Sequence, residues 1–177
     1  MDTQKLLLEY TQMAIETMMS DAQIPFSTSS VFFDPRKKFV GWMHEFAVGH
    51  VVVDCGAGLG HTTLALQNHG VRAIAVDLFP SPDAVVENIT PMNAVLFPFS
   101  DAFIAMICRP CRGDWIHATI IAAVESGAKC VYVGKESHYA ADLAPLPYEV
   151  VKVMEQAGAA GESVWTISKR VENDEIH

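Results

Sequence analysis

Apolar residues recur at spacings of three and four near the start of the chain, at Leu6, Leu7, Tyr10, Met13, Ala14 and Met18, with Lys5, Glu9 and Glu16 among them. This periodicity predicts an amphipathic helix from Asp2 to about Ser20. Its methionines Met13, Met18 and Met19 read as flexible core or interface filler rather than metal ligands. Residues 21–33 lose the period and collect Pro25, Ser27, Thr28, Ser29 and Ser30, which predicts a loop over one face of the domain, placed to act as a lid. A second helix is predicted with Asp34 as N-cap and Pro35 at its first position, running through Phe39, Trp42, Met43 and Phe46 and stopping near Gly49.

Beyond Gly49 the pattern changes to short apolar runs alternating with helical segments. Val51–Val53 reads as a buried strand, Thr62–Asn68 as a helix closed by Gly70, and Ala73–Val76 as a second strand ending in Asp77. Ser81-Pro82-Asp83 carries an N-cap signature for a short helix to about Glu87, and a weaker strand is expected around Ala94–Leu96. Phe103–Cys108 reads as a strand, Asp114–Glu125 as a helix stopped by Gly127 with Asp114 as its N-cap, and Cys130–Val133 as a fifth strand. Tyr148–Gln156 is expected to be helical, and Ser163–Lys169 alternates as a last, half-exposed strand. Strands apolar on both faces and separated by helices predict an α/β fold: a doubly wound, mostly parallel sheet with helices on both sides. No internal repeat, low-complexity tract or linker divides the chain.

Composition narrows the picture. The 177 residues, half of them apolar, suit one domain over residues 1–177. Twelve Lys and Arg against 21 Asp and Glu give a net charge of −9, spread along the chain, so a broad grip on nucleic acid or an anionic membrane is not expected. Arg36-Lys37-Lys38 is the one dense basic cluster, at a helix start where the dipole does not favour cations; it is an anionic contact or a solvated face. The longest uncharged apolar runs, such as Ala102–Cys108 and Ala118–Val124, fall far short of the roughly 18 residues of a membrane span. With no cationic stretch before an apolar leader, a cytoplasmic location is expected. The four Cys then read as packed thiols in a reducing compartment.

The sharpest chemical feature is Val51-Val52-Val53-Asp54-Cys55-Gly56-Ala57-Gly58-Leu59-Gly60, between a predicted strand and a predicted helix. Alternate glycines let the backbone turn tightly and let a ligand approach it, while the next helix offers free N–H groups. A dinucleotide fingerprint would place its third glycine at position 61, where this chain has His61. An acid two places before the first glycine suits a cationic ligand better than a pyrophosphate.

The block Asp54-x-Gly56-x-Gly58-x-Gly60 is similar to the first motif of class I S-adenosylmethionine-dependent methyltransferases, whose fold is Rossmann-like. Asp77, 17 residues after Gly60, stands where that family keeps an acid for both ribose hydroxyls. Asn93-Ala94, followed by Leu96-Phe97-Pro98-Phe99, resembles the family's third segment, with Asn93 in place of the adenine-contacting Asp. The resemblance covers about Asp34 to Val133. It implies S-adenosyl-L-methionine as cofactor, bound by Asp54, Gly56, Gly58, Gly60, Asp77, Leu78, Asn93 and Ala94. Leu78 and Phe79 would lie against the purine or simply pack.

The pattern departs from the family after the fourth strand. Cys108-Arg109-Pro110-Cys111 lacks the Asp/Asn-Pro-Pro-aromatic tetrapeptide of nucleic-acid amino-methyltransferases. Cys55 and the Cys108–Cys111 pair, with His61 or His117, can bind zinc or form a redox pair, but a single Cys-x-x-Cys more simply gives packed thiols, and no metal is expected. Arg109 and Arg112 suit a carboxylate or phosphate, or cap loop carbonyls. His138 and Tyr139, after strand five, line a substrate pocket or a solvated loop. The segment after Val133 supplies one helix and one clear strand, so the fold is expected to be shortened at its C-terminus. The expected function is methyl transfer to a small-molecule or protein acceptor, with catalytic residues unknown. The alternatives are a non-catalytic scaffold or regulatory subunit of the same fold and, third, a nicotinamide-dependent reductase. A homodimer or a partner subunit would be compatible.

Overall fold

The computed structural model describes residues 33–111 and 113–171. The expected helix over residues 2–20, nearly all of the loop over 21–33, and Arg112 lie outside them. In chain order the elements are α1 (Lys37–Phe46), β1 (Val51–Cys55), α2 (His61–Asn68), β2 (Ala73–Asp77), β3 (Ile89–Pro91), β4 (Phe103–Cys108), α3 (Trp115–Glu125), β5 (Lys129–Gly134), α4 (Tyr139–Asp142), β6 (Glu149–Met154) and β7 (Ser163–Ser168), with 3-10 turns at Ala94–Leu96 and Glu136–His138. The strands form one seven-stranded sheet in the order β3-β2-β1-β4-β5-β7-β6. The pairs from β3 to β5 are parallel, and β7 runs antiparallel to both its neighbours.

Strand side chains alternate between two apolar layers. Val52, Ile104, Met106, Val131, Val133 and Val164 meet Phe39, Val40 and Met43 of α1 and Leu66 of α2. Val53, Ala105, Ile107, Tyr132, Trp165 and Ile167 meet Ile116, Ile120 and Ile121 of α3. Both faces are therefore covered, as the continuous apolar strands predict. From β1 the chain winds outward through β2 and β3, then returns to β4 on the other side and continues to β5. That reversal leaves a crevice at the carboxyl ends of β1 and β4.

Five expectations are corrected. The helix expected from Asp34 begins at Lys37, because residues 34–36 form an extended strap instead. Pro35 bridges Gly158, the Arg36 N–H donates to the Ala157 carbonyl (2.8 Å), and the Asp34 carbonyl accepts from Ala159 (3.0 Å). The helix expected over 81–87 is a series of turns tethered to the glycine loop through the Val85 N–H and the Leu59 carbonyl (2.8 Å). The strand expected near Ala94–Leu96 lies earlier, at β3, where β-branched Ile89 and Thr90 pair with β2 and Pro91 takes an edge position that needs no donor.

Fourth, Tyr148–Gln156 is not helical: its β-branched Val150, Val151 and Val153 build β6 against β7. Fifth, the sheet is not shortened, since β6 and β7 complete it with an antiparallel hairpin, and β7 is an interior strand rather than a half-exposed one. Only the connection after β5 is abbreviated, to a 3-10 turn and the single turn of α4. A Tyr132 hydroxyl bond to the Asp142 carboxylate and a His117 Nε2 contact with the Asp142 carbonyl (2.9 Å) pin α4 in place. Among the described residues, no helix is long and apolar enough to cross a membrane.

Ile167, 2 % exposed in the middle of the hairpin, should lose about 2–5 kcal/mol of stability on Ile167→Ala, whereas Ile74→Ala at a 38 % exposed site on β2 should cost well under half of that. Urea unfolding of both variants checks this.

Candidate functional site

The glycine loop leaves β1 at Cys55 and enters α2 at His61. The Gly56 and Ala57 N–H groups both donate to the Val76 carbonyl (2.8 and 3.1 Å), folding the loop back over the end of β2. Its three glycines are required for different reasons. A Cβ on Gly56 would lie 3.0 Å from the tip of the Trp115 indole, and one on Gly60 only 1.9 Å from Val86 Cγ1, so both positions are closed by packing. Gly58 has φ +58, and a Cβ there would meet nothing within 4 Å. Backbone conformation requires glycine at that position, and open space lies in front of it.

Two carboxylates stand behind this opening. Asp54, on β1, is 2 % exposed and accepts from the Thr63 hydroxyl of α2 (2.7 Å). Burial pushes its carboxyl up to about 6 against the pull of the Thr63 bond, and the Asp77 charge adds to the rise. Asp77, at the end of β2, accepts from the Gly58 N–H through Oδ2 (2.8 Å) and from the Phe79 N–H through Oδ1 (2.9 Å). Burial raises this carboxyl too, opposed by the two backbone donors. Each Asp77 oxygen keeps a free lone pair. Among the described residues no cation pairs with either acid, so this end of the crevice suits a hydroxyl-bearing or cationic ligand.

Of the other residues read from the sequence, Leu78 is half-buried beside Asp77 and Phe79 is 58 % exposed. Asn93 is buried, and its Oδ1 accepts from the Val95 N–H (3.1 Å) as the cap of a 3-10 turn. Ala94 is buried in the core beneath α3. Asp114 occupies the N-cap position of α3 but makes no capping bond, because its own backbone is already helical. Cys55 and Cys130 are buried, Cys108 is partly buried and Cys111 is exposed. Burial pushes the thiols of Cys55 and Cys108 well up and that of Cys130 to about 12, which keeps these three protonated. Among the described residues, no group of three or more His, Cys, Asp or Glu is placed to hold a metal ion. His138 ends a 3-10 turn, and the Tyr139 ring lies tilted against Trp165 with centroids 5.9 Å apart.

Arg109 does not point freely into the crevice. Its backbone is left-handed (φ 46), its N–H extends the β4–β5 pairing by donating to Val133 (2.8 Å), and its guanidinium meets Glu162 Oε1 at 2.9 Å. Glu162, Thr63 and Trp115 escaped the sequence reading. Glu162 had a faint signal, as a single charge closing the small-residue run Gly158-Ala159-Ala160-Gly161 directly before a strand.

No protein-family model matches the chain, and no curated protein matches it by sequence. Solved structures do match its fold. The 1,6-didemethyltoxoflavin-N1-methyltransferase of Burkholderia thailandensis, with 1,6-didemethyltoxoflavin and S-adenosylhomocysteine bound, is 16 % identical with a TM-score of 0.52, over 93 % of this chain and 87 % of that one. A Bacteroides fragilis SAM-dependent methyltransferase in complex with S-adenosylhomocysteine is 12 % identical, TM-score 0.50, over 82 % and 80 %. Precorrin-6y C5,15-methyltransferase of Geobacter metallireducens is 14 % identical, TM-score 0.50, over 78 % and 94 %. The chain thus has the class I methyltransferase-like fold.

Two outcomes follow from this geometry. Gly60→Ala, which combines φ +81 with a 1.9 Å overlap, should lower the melting temperature far more than Gly58→Ala, which meets only backbone strain of about 1 kcal/mol. Because the folded-state pKa of Asp54 lies above its unfolded value of 3.8, the fold binds the extra proton. The contribution of Asp54 to stability is then fully present below about pH 4 and is lost as pH rises through about 6. Asp54→Asn should flatten that part of the profile of melting temperature against pH.

Proposed function

We propose that the crevice binds S-adenosylmethionine and that the protein, acting as one cofactor-binding unit over residues 1–177, transfers the methyl group to a small-molecule or protein acceptor. The observation that carries this reading is the Asp77 carboxylate, fixed by the Gly58 N–H at the edge of the open glycine loop. Its two remaining lone pairs suit the paired hydroxyls of a ribose, and the loop lets a ligand lie against the Gly58 backbone. Asp54, buried one strand over, offers negative charge toward a ligand carrying an ammonium and a sulfonium. Leu78 and Phe79, which directly follow Asp77, would rest against the purine ring, with Asn93 and Ala94 on the adenine side. The fold neighbours with S-adenosylhomocysteine bound support the same cofactor.

When bound, the cofactor supplies an electrophilic methyl group. What the protein then has to contribute is alignment of an acceptor atom and exclusion of water, neither of which demands a dedicated acid or base. The net charge of −9 and the Cys108-Arg109-Pro110-Cys111 sequence after β4 weigh against a nucleic-acid acceptor. A scaffold role in which cofactor is held without transfer is the second reading, favoured by Cys108-Arg109-Pro110-Cys111 standing where a substrate-facing tetrapeptide would be.

Calorimetric titration tests the cofactor. S-adenosylmethionine and S-adenosylhomocysteine should bind and NAD should not, and Asp77→Ala should weaken binding at least about tenfold through loss of two charge-assisted bonds. Equal affinity in Asp77→Ala overturns the reading. Affinity for the sulfonium ligand should fall as pH drops below about 6, where Asp54 takes up its proton, and this dependence should vanish in Asp54→Asn. Binding with no transfer of labelled methyl to metabolite or protein fractions would assign the scaffold role.

A further inference from the structure

The α1 face of the sheet is covered unevenly. Among the described residues it carries two helices for seven strands: α2 lies against β2, and α1 shares a core with Ile104 and Met106 of β4 and Val131 and Val133 of β5. A helix about 10 Å across covers roughly two strands spaced about 4.8 Å apart, so α1 does not extend over the outer hairpin. Val151 of β6 pairs with Thr166 of β7, which pairs with Val131, so all three stand on this face. Burial falls along that row: Val131 is fully buried, Thr166 half-buried and Val151 46 % exposed. Val153, in the irregular step of the same strand, is 40 % exposed.

Aromatic rings on α1 form a wall beside this strip. Phe33 and Phe39 meet edge to face at 5.2 Å, Phe39 lies 6.3 Å from Trp42, and Trp42 stacks on Phe46 at 4.7 Å. The row starts at the β6–β7 turn, where the Phe33 ring faces Gly158, and ends at the head of β5, where the Lys129 ammonium lies 5.0 Å from the centre of the Phe46 ring. The Lys38 ammonium donates to the Glu155 carbonyl at the end of β6, which holds the start of α1 beside the hairpin. Trp42 and Phe46 stay half-buried. Rings on one side and exposed valines on the floor make an apolar trough alongside α1, about 20 Å long, the length of the six residues of β6.

The point where the chain enters the fold indicates the occupant. Residues 34–36 are clamped to Ala157, Gly158 and Ala159, so the residues preceding Phe33 arrive at the turn end of the trough. Residues 2–20 carry the apolar stripe of Leu6, Leu7, Tyr10, Met13, Ala14 and Met18, with Lys5, Glu9 and Glu16 on the other side of a helical projection. As a helix they would extend about 28 Å, and residues 21–32 can span up to about 40 Å, which puts either end of the trough within reach. A tether of this kind gives the segment an effective concentration on the order of millimolar, well above that of a second copy in dilute solution.

We propose that residues 2–20 dock as an amphipathic helix in the trough between the α1 ring row and β6, as a third helix on that face and within one chain. The apolar stripe meets Trp42, Phe46, Val151 and Val153, and the side bearing Glu9 and Glu16 stays in water. The docked helix shields the valines beside the free edge of β6, where another chain could otherwise pair. The proposal does not depend on the methyl-transfer reading.

The test uses the full-length protein with the photoreactive residue p-benzoylphenylalanine in place of Val151, irradiated in dilute solution. Products are separated by denaturing electrophoresis and mapped by mass spectrometry. The expected product is a monomer cross-linked to residues 2–20. The same probe at Ile74, which pairs with Val53 and so lies on the α3 face, should not give it. Leu7→Asp/Ala14→Asp, on the stripe, should lower the yield at least about fivefold, because docking would then bury unpaired charge. Glu9→Gln/Glu16→Gln, off the stripe, should leave the yield within about twofold, the usual effect of surface changes. A cross-linked dimer in place of the monomer overturns the proposal and makes a second copy the occupant. Cross-links elsewhere in the chain, no cross-link, or a yield unchanged in Leu7→Asp/Ala14→Asp overturn it as well. Where circular dichroism shows that the probe at Val151 disturbs the fold, Val153 carries the same probe and the same expectations.

Discussion

The hydrogen bond from the Gly58 N–H to the Asp77 carboxylate joins the loop after β1 to the tip of β2, and the candidate site is organised around it. The bond requires the left-handed backbone at Gly58. That conformation in turn depends on Gly56 lying flat against Trp115 and on Gly60 admitting Val86, so α3 and the 81–87 turns both bear on the loop. Beneath it lies the parallel pairing of β1 with β4, where the winding of the chain reverses. A polar loop can remain open there because the sheet edge below it is already covered on both faces.

Electrostatics at the crevice is uneven. Asp54 and Asp77 are both held toward the protonated side by burial. On the β4–β5 side the charges are instead paired, Arg109 with Glu162, and on the outer hairpin Lys152 bridges Glu136 and Glu155 at 2.9 and 3.0 Å. The outer pairs are exposed and contribute little to stability. Only the inner pair lies where desolvation makes its geometry matter.

Much of this was legible in the sequence because two signals are local. Continuous apolar runs such as Phe103–Cys108 fix β4 residue for residue, and the spacing Asp54-x-Gly56-x-Gly58-x-Gly60 locates the loop without tertiary knowledge. The misread elements are those whose form is set by distant partners. Val150, Val151 and Val153 follow a tyrosine and a glutamate in a stretch that suits a helix, and only pairing with β7 settles them as a strand. Ser81-Pro82-Asp83 looks like a helix start, yet the Leu59 carbonyl captures the Val85 N–H before a helical turn can close. Glu162 and Arg109 are 53 positions apart, and no window of sequence contains both.

The placement of β7 also orders events in time. It lies between β5 and β6, so the interior half of the sheet keeps a raw edge at β5 until Ser163–Ser168 has been synthesised. Until then Val131, Tyr132 and Val133, all buried in the finished molecule, present unpaired backbone along an apolar strand. The long separation between β5 and its last partner delays closure of the sheet until nearly all the described residues have left the ribosome. A nascent chain of this protein is therefore a natural client for chaperones that mask extended apolar segments, and a premature stop before Ser163 would leave a product that associates rather than one that folds.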